Sequence, residues 1–305
     1  MNILNIASLY DDETKCEEKI KLVREKQGVI CKKCQSRSHY WKSDKKCWEC
    51  KSCKFRTSLK SGTVMEYSKL PLQYWLLAMA LMSMTKKGMS ALELQRQLSH
   101  KRYEPIWAMM HKIRIAMGKR EDKYQLHDWV ELDHGFFEID FDNESQKSKA
   151  TVMVCAQIDP LVAEPKKGKA KPKTSVQYLK MSHVDDMSKE STKFYTDKLI
   201  DNEAHVITDN HQSYKELPDV VKSHTAIQCF DKILSSAMLP WVHIAISNAK
   251  RWLLGIHHSV NTDFLQNYLN EFCFKFNRRY FGVDLLDRLI IAVVQPTFLF
   301  RQPCG

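Results

Sequence analysis

From Trp129 onward the apolar residues stop recurring at helical spacing and begin to alternate. Two of the strand-like runs this creates carry an aspartate. WVELDHGFFEID holds Asp133 within an apolar run, and AHVITDN places Asp209 at the end of another. An ionised carboxylate in a largely buried strand needs a partner or a metal, so these positions carry information. His243 follows Asp209 by 34 positions in LPWVHIAISNAKR, and Lys250 follows by seven more. Seven residues is close to two helical turns, which puts His243 and Lys250 on one helix face. Two carboxylates on rigid strands can hold a hard divalent cation such as Mg²⁺ or Mn²⁺. A pair of such cations can assist phosphoryl transfer.

The runs around these residues predict the architecture. VELDHGFFEIDF, TVMVCAQID and VQYLKMSHV read as strands of an antiparallel meander. KESTKFYTDKLIDN reads as an amphipathic helix, EAHVITD as a short strand behind it, and HTAIQ as one more. Long helices follow at Trp241 to Leu254, Thr262 to Arg278 and Val283 to Val294. Three strands, a helix, two strands and a helix predict an α/β fold with a ribonuclease-H-like core, a mixed sheet with flanking helices. The Lys-, Gly- and Pro-rich stretch from Glu164 to Ser175 is expected to interrupt that core as a mobile, solvated loop.

Composition changes upstream. Residues 1–67 are polar, lysine-rich and hold six of the ten cysteines. Cys31 and Cys34 form one CxxC, and Cys50 and Cys53 form another after 15 intervening residues. Each pair sets two thiolates on one side of a tetrahedral ion, the pattern of a structural Zn²⁺ ribbon. Cys47 could replace one of the second pair through CWEC, but CKSCKFRTS continues into a strand, which favours Cys50 and Cys53 and leaves Cys47 spare. Cys155, Cys229 and Cys273 sit among apolar neighbours and read as buried thiols.

Residues 68–125 show helical spacing. Leu76, Leu77, Ala80 and Leu81 share a face, Pro71 fits a first turn, and Ser90 with Glu93 makes a capping-box pattern. Ile106, Met109, Met110 and Ile113 form a second apolar face, with Lys112 and Arg114 off it. A tight joint near His100 makes this segment helix-turn-helix-like, and double-stranded DNA would then meet Lys112 and Arg114. Residues 126–305 form the third division, the catalytic core with the C-terminal helices.

Lys and Arg number 47 against 36 Asp and Glu, a formal +11 that favours polyanionic partners. The longest apolar stretch, Leu70 to Met84, falls short of the roughly 18 residues a membrane span requires. The N-terminus lacks the pattern of a secretory signal, so a reducing cytoplasm, metal-bound cysteines and no disulfide framework are expected.

The chain resembles the DDE-type transposases of bacterial insertion sequences that carry an N-terminal zinc ribbon. The likeness runs through CKSCKFRTSLKSGTVMEYSKLPLQYWLLAM, MSALELQRQLSHKRYEPIWAMMHKIR, ELDHGFF, ITDNHQSY, ISNAKRWLLGIHHSV and YLNEFCFKFNRRYF. It implies an enzyme that nicks transposon ends and joins the 3′-OH to target DNA. Asp133 and Asp209 then carry over as metal-binding aspartates. The third position departs from the usual glutamate. His243 is expected there, with Asn248 the rival if the helix register is read differently. Lys250 would contact a phosphate. Arg251, Lys275, Arg278 and Arg279, with Trp252, Phe274 and Phe276 nearby, would offer a basic surface to the DNA backbone. The resemblance further implies a homo-oligomer, nucleoid association and no small-molecule cofactor. Two rival readings are a DNA-binding regulator whose catalytic core has decayed and a stand-alone nuclease.

Overall fold

The computed structural model describes residues 6, 8–140, 147–160, 174–227, 239–257 and 260–297. Most of the expected loop from Glu164 to Ser175, and Cys229, lie outside the described residues. Contacts divide the chain into two units, residues 1–120 with 280–305 and residues 121–279.

The first unit begins with helix α1 (Glu13–Gln27), which Asp12 caps by accepting from the Thr14 N–H at 3.1 Å. Polar composition hid this helix, but Cys16, Ile20 and Val23 are buried at i, i+4 and i+7. A three-stranded antiparallel sheet follows, β1 (His39–Lys42), β2 (Cys47–Cys50) and β3 (Arg56–Ser58). Helices α2 (Leu72–Met84), α3 (Ala91–Gln97) and α4 (Glu104–Glu121) come next, with His100 in the joint between the last two.

The buried face of α2 differs from the expected one. Leu72, Trp75, Leu76, Met79, Ala80 and Met82 are buried, while Leu77 and Leu81 are only half-buried. A helix this apolar is covered on more than one side, so spacing alone does not choose its face. Ser90 caps α3 by accepting from the Glu93 N–H at 3.1 Å, whereas the Glu93 side chain accepts from Gln97 rather than closing a capping box. Ile106, Met109, Met110 and Ile113 are buried as expected.

The second unit is built on a mixed five-stranded sheet. Its strands are β4 (Trp129–Asp140), β5 (Lys147–Pro160), β6 (Thr174–Val184), β7 (His205–Asp209) and β8 (Ser223–Ile227). They stand in the order β6-β5-β4-β7-β8. The first three form the antiparallel meander, while β7 joins β4 and β8 joins β7 in parallel. Helix α5 (Lys189–Leu199) connects β6 to β7, a crossover of the kind a parallel neighbour requires. Its Leu199 joins Val130, Leu132, Met153, Cys155 and Tyr214 on one face of the sheet. On the other face Phe137, Val152, Val154 and Leu179 pack with helices α6 (Pro240–Leu254) and α7 (Thr262–Asn277). This is the α/β, ribonuclease-H-like arrangement expected from the run order, a sheet covered on both faces.

The last helix, α8 (Leu285–Val293), packs on α2 and α1. The sequence places α8 within the catalytic stretch of 126–305, whereas its apolar face finds its cover in the first unit. Glu121 begins the second unit because Asn277 donates to its carboxylate at 2.6 Å and Arg278 pairs with it. No helix among the described residues is long and apolar enough to cross a membrane.

Candidate active site

Strand register brings the two aspartates together. Trp129, Val130 and Glu131 of β4 pair in parallel with His205, Val206 and Ile207 of β7. Continuing that register by two residues sets Asp133 level with Asp209, on the same sheet face, with adjacent strands about 4.8 Å apart. β7 stops at Asp209 while β4 runs on to Asp140, so the pair lies where the parallel strand ends and the edge of β4 opens. Such a carboxyl-end crevice is the usual place for ligands in α/β sheets.

Asp133 is held from several sides. Its carboxylate accepts from the His134 N–H at 2.7 Å and bonds the Tyr214 hydroxyl. His243 Nδ1 lies 3.8 Å from its Oδ2. Burial raises the Asp133 pKa above its ordinary value and the Asp209 charge adds to this, against the pull of the His134 N–H and His243. Asp209 accepts from the His211 N–H at 3.0 Å.

Beneath the pair, Tyr214 is buried and takes part in a short network. Its hydroxyl lies 2.7 Å from His134 Nδ1 and also bonds Asp133. A phenol has one proton, so the hydroxyl can donate to only one of these two neighbours at a time, and the His134 tautomer decides which. His134 Nε2 has no hydrogen-bond partner among the described residues. Burial holds His134 down to about 4, with the His211 charge in support, so the ring is neutral at physiological pH.

Helix α6 lies along β4 and supplies the third side chain. Its first turn has the apolar Leu239 at the cap position and Pro240 next, and no side chain of its own caps it. The Glu131 carboxylate does so instead, accepting from the N–H groups of Trp241 at 2.8 Å and Val242 at 3.1 Å. Glu131 is 2% exposed, and burial pushes its pKa up to about 7 against those two bonds. Two residues along the same face Asp133 meets His243. Next, a Cβ on Gly135 would lie 3.1 Å from Ile246 side-chain atoms, and then Lys250 Nζ stands 5.6 Å over the Phe137 ring.

The helix register thus places His243, and not Asn248, beside Asp133. Asn248 is exposed and accepts from Arg251 Nη2 at 2.7 Å. The sequence reading named Asp133, Asp209, His243 and Lys250, but missed Glu131, His134, Gly135 and Tyr214 as supports. Same-face spacing from Asp133 would have flagged Glu131, and its cap role needed the helix position. Tyr214 lies five residues past Asp209, yet nothing local showed that it reaches back to Asp133.

The basic residues expected to meet DNA are placed differently. Arg114 is buried, 1% exposed, which corrects its expected role as a DNA contact. Its position on α4 turns it to the same buried side as Met110, Ile113 and Met117. Lys112 Nζ donates to the Glu66 carbonyl at 3.0 Å. The Arg278 side chain is 11% exposed and pairs with Glu121. Arg279 donates to the carbonyls of Val176 and Gln177 near the start of β6. Arg251 remains exposed. Arg278 and Arg279 also stack over Phe274 and Phe276 at the end of α7, and the bonds from Arg279 to β6 tie that end to the sheet.

In the first unit Cys31, Cys34, Cys50 and Cys53 bring their sulfurs within 4.8 Å of one another. Cys31 and Cys53 are 3.5 Å apart, as are Cys34 and Cys50. The Cys53 N–H, foremost, lowers the Cys50 thiol to about 6, toward the thiolate a metal needs. Cys47 is buried in β2 and takes no part. Among the described residues this is the one group of three or more His, Cys, Asp or Glu ligand atoms drawn that close, so the Asp133, Asp209 and His243 group is the more open of the two.

Residues 125–277 match the family described as ISXO2-like transposase domain, a stretch that runs from just before β4 to the end of α7. A search of curated proteins finds no match to the chain.

Proposed function

The chain belongs to the ISXO2-like transposase domain family, and from that membership and the geometry of the sheet we propose that it cuts the ends of an insertion sequence and joins the freed 3′-OH to target DNA. One observation carries the reading. The paired register of β4 and β7, carried on by two residues, sets Asp133 level with Asp209, and His243 Nδ1 is 3.8 Å from the Asp133 carboxylate. Like-charged carboxylates on neighbouring strands, one of them raised by burial, form a donor set that a divalent cation would stabilise. Oxygen donors suit Mg²⁺ or Mn²⁺, and the neutral imidazole nitrogen favours Mn²⁺ of the two.

Asp133, Asp209 and His243 would hold the cations, which when bound lower the pKa of water or a 3′-OH and stabilise the leaving oxygen. The protein's own contribution is placement. The His134 N–H and the Tyr214 hydroxyl fix the Asp133 carboxylate, leaving its outer oxygen toward His243. The His211 N–H orients Asp209 as β7 gives way to the following turn. Lys250, two turns beyond His243, brings a positive point charge to the same helix face for a phosphate near the scissile bond. No protein nucleophile is required. Two DNA ends must be handled together, which fits a homo-oligomer. The four cysteines would hold a structural Zn²⁺ that supplies folding energy to a small sheet with little core.

Purified protein incubated with Mn²⁺ and end-containing DNA is expected to nick at the ends and to give strand-transfer products with a plasmid target. Asp133→Ala and Asp209→Ala should each reduce nicking by more than about a hundredfold, since even partners behind the ligands matter by ten- to hundredfold. Binding without cleavage by the wild-type protein would sink the reading in favour of a DNA-binding regulator. Clean hydrolysis with no joined product would favour a nuclease.

A further inference from the structure

Helix α6 is held to β4 by a device that local capping does not require. A helix start needs acceptors for its first N–H groups, and a Ser, Asp or Asn at the cap position supplies one at no cost in burial. Here that position is the buried Leu239, and the acceptor comes from Glu131, 110 residues earlier in the chain and 2% exposed. A buried carboxylate is an expensive way to cap a helix. What it adds is a fixed point between this helix and this strand.

That fixed point lies beside the candidate site. Val242, whose N–H binds Glu131, immediately precedes His243, and Glu131 is two residues from Asp133 on the same strand face. Gly135, on the other side of Asp133, lets Ile246 approach closely enough that an added Cβ would sit at 3.1 Å. Glu131 therefore sets where α6 stands along β4, and Gly135 sets how near it lies. A slip of one residue along the helix would turn His243 by about 100° and take it off the Asp133 face.

We propose that Glu131 is a positioning residue, whose carboxylate ties the start of α6 to β4 so that His243 stands opposite Asp133. The consequence for cleavage rests on the transposase reading above, but the placement itself does not.

Two substitutions separate length from charge. Glu131→Gln keeps the reach and an acceptor oxygen but loses the charge. Glu131→Asp keeps the charge and shortens the reach by about one bond, ~1.5 Å. Histidine-ring NMR reads the placement without metal or DNA, with the His243 signal assigned by His243→Gln. Adding Asp133→Asn should shift that signal in wild-type and Glu131→Gln protein, and by less than about a third as much in Glu131→Asp, the cap bond being short-ranged. Mn²⁺-dependent nicking should follow the same order. Glu131→Gln should stay within about threefold of wild type and Glu131→Asp fall roughly ten- to hundredfold in kcat, with KM for DNA unchanged, as for residues behind a ligand.

Circular dichroism confirms that each variant is folded, and both substitutions are mild enough to keep the core. If Glu131→Asp behaves like wild type, or Glu131→Gln is the more damaged of the two, charge and not position matters, and the proposal is overturned. If the histidine signals behave as stated but wild-type protein shows no metal-dependent nicking, the placement stands and the transposase mechanism fails.

Discussion

The two candidate metal centres of this chain are built in opposite ways. The four cysteines come from two CxxC turns within 23 residues, and their sulfurs already lie within 4.8 Å of one another. Asp133, Asp209 and His243 come from two strands and a helix spread over 111 residues, and their ligand atoms do not draw that close together. One site is assembled by local spacing, beside a small three-stranded sheet. The other is assembled by sheet register and helix docking, in a unit with a core on both sheet faces. The difference predicts which site shapes its surroundings and which is shaped by them.

Metal removal should break the ribbon and spare the sheet. Structural zinc in small modules contributes on the order of 10–16 kcal/mol of apparent folding energy. Chelation, or Cys31→Ser with Cys50→Ser, should therefore expose the amides of β1 to β3 in hydrogen exchange while those of β4 and β5 keep their protection. Equal loss in both sheets would end the contrast.

The acidic site should respond instead to packing changes at residues that ligate nothing. Gly135→Ala forces a Cβ against Ile246 and should cost about 1–3 kcal/mol in chemical denaturation, with a loss of nicking out of proportion to that cost. Unchanged stability would mean that the helix is free to move away from the strand.

His134 gives the site a pH dependence of definite sign. Its folded pKa, about 4, lies below the ordinary 6.5, so between these values the unfolded chain binds a proton that the folded one refuses. The stability from its neutral ring is complete above pH 6.5 and declines as pH falls toward 4, by at most about 1.4 kcal/mol per pH unit. Denaturation midpoints from pH 7.5 to 5 should fall less steeply in His134→Gln. A slope identical to wild type would show that the ring titrates normally.

The smallest effect belongs to Asn248, exposed and bonded to Arg251. Asn248→Ala should change stability by less than about 0.5 kcal/mol and leave nicking near wild type, while His243→Ala abolishes it. The reverse ranking would favour Asn248 over His243 as the proposed third ligand.

Much of this fold was legible in the chain. The period change at Trp129 and the order of runs in the second half gave the strands, the crossover helix and the closing helices, because burial on a sheet or a helix stripe leaves its own spacing. α1 was missed because its three buried positions are diluted by charge. The buried face of α2 was misjudged because a helix apolar on most sides carries no phase. Arg114 looked like a surface charge and proved buried, since a long side chain takes its environment from the packing of neighbouring elements rather than from its own helix.

The amino-acid sequence by itself determined what short-range geometry can encode, namely the cysteine pairs, the strand alternation and the two aspartates at strand positions. Tertiary structure alone decided the register of β4 against β7, that His243 rather than Asn248 lies beside Asp133, and that Glu131 caps α6 while Tyr214 meets His134. Those relations depend on the register between strands and the axial position of a helix. Both are set by contacts between residues 76 to 110 positions apart, at which distance no local spacing pattern survives.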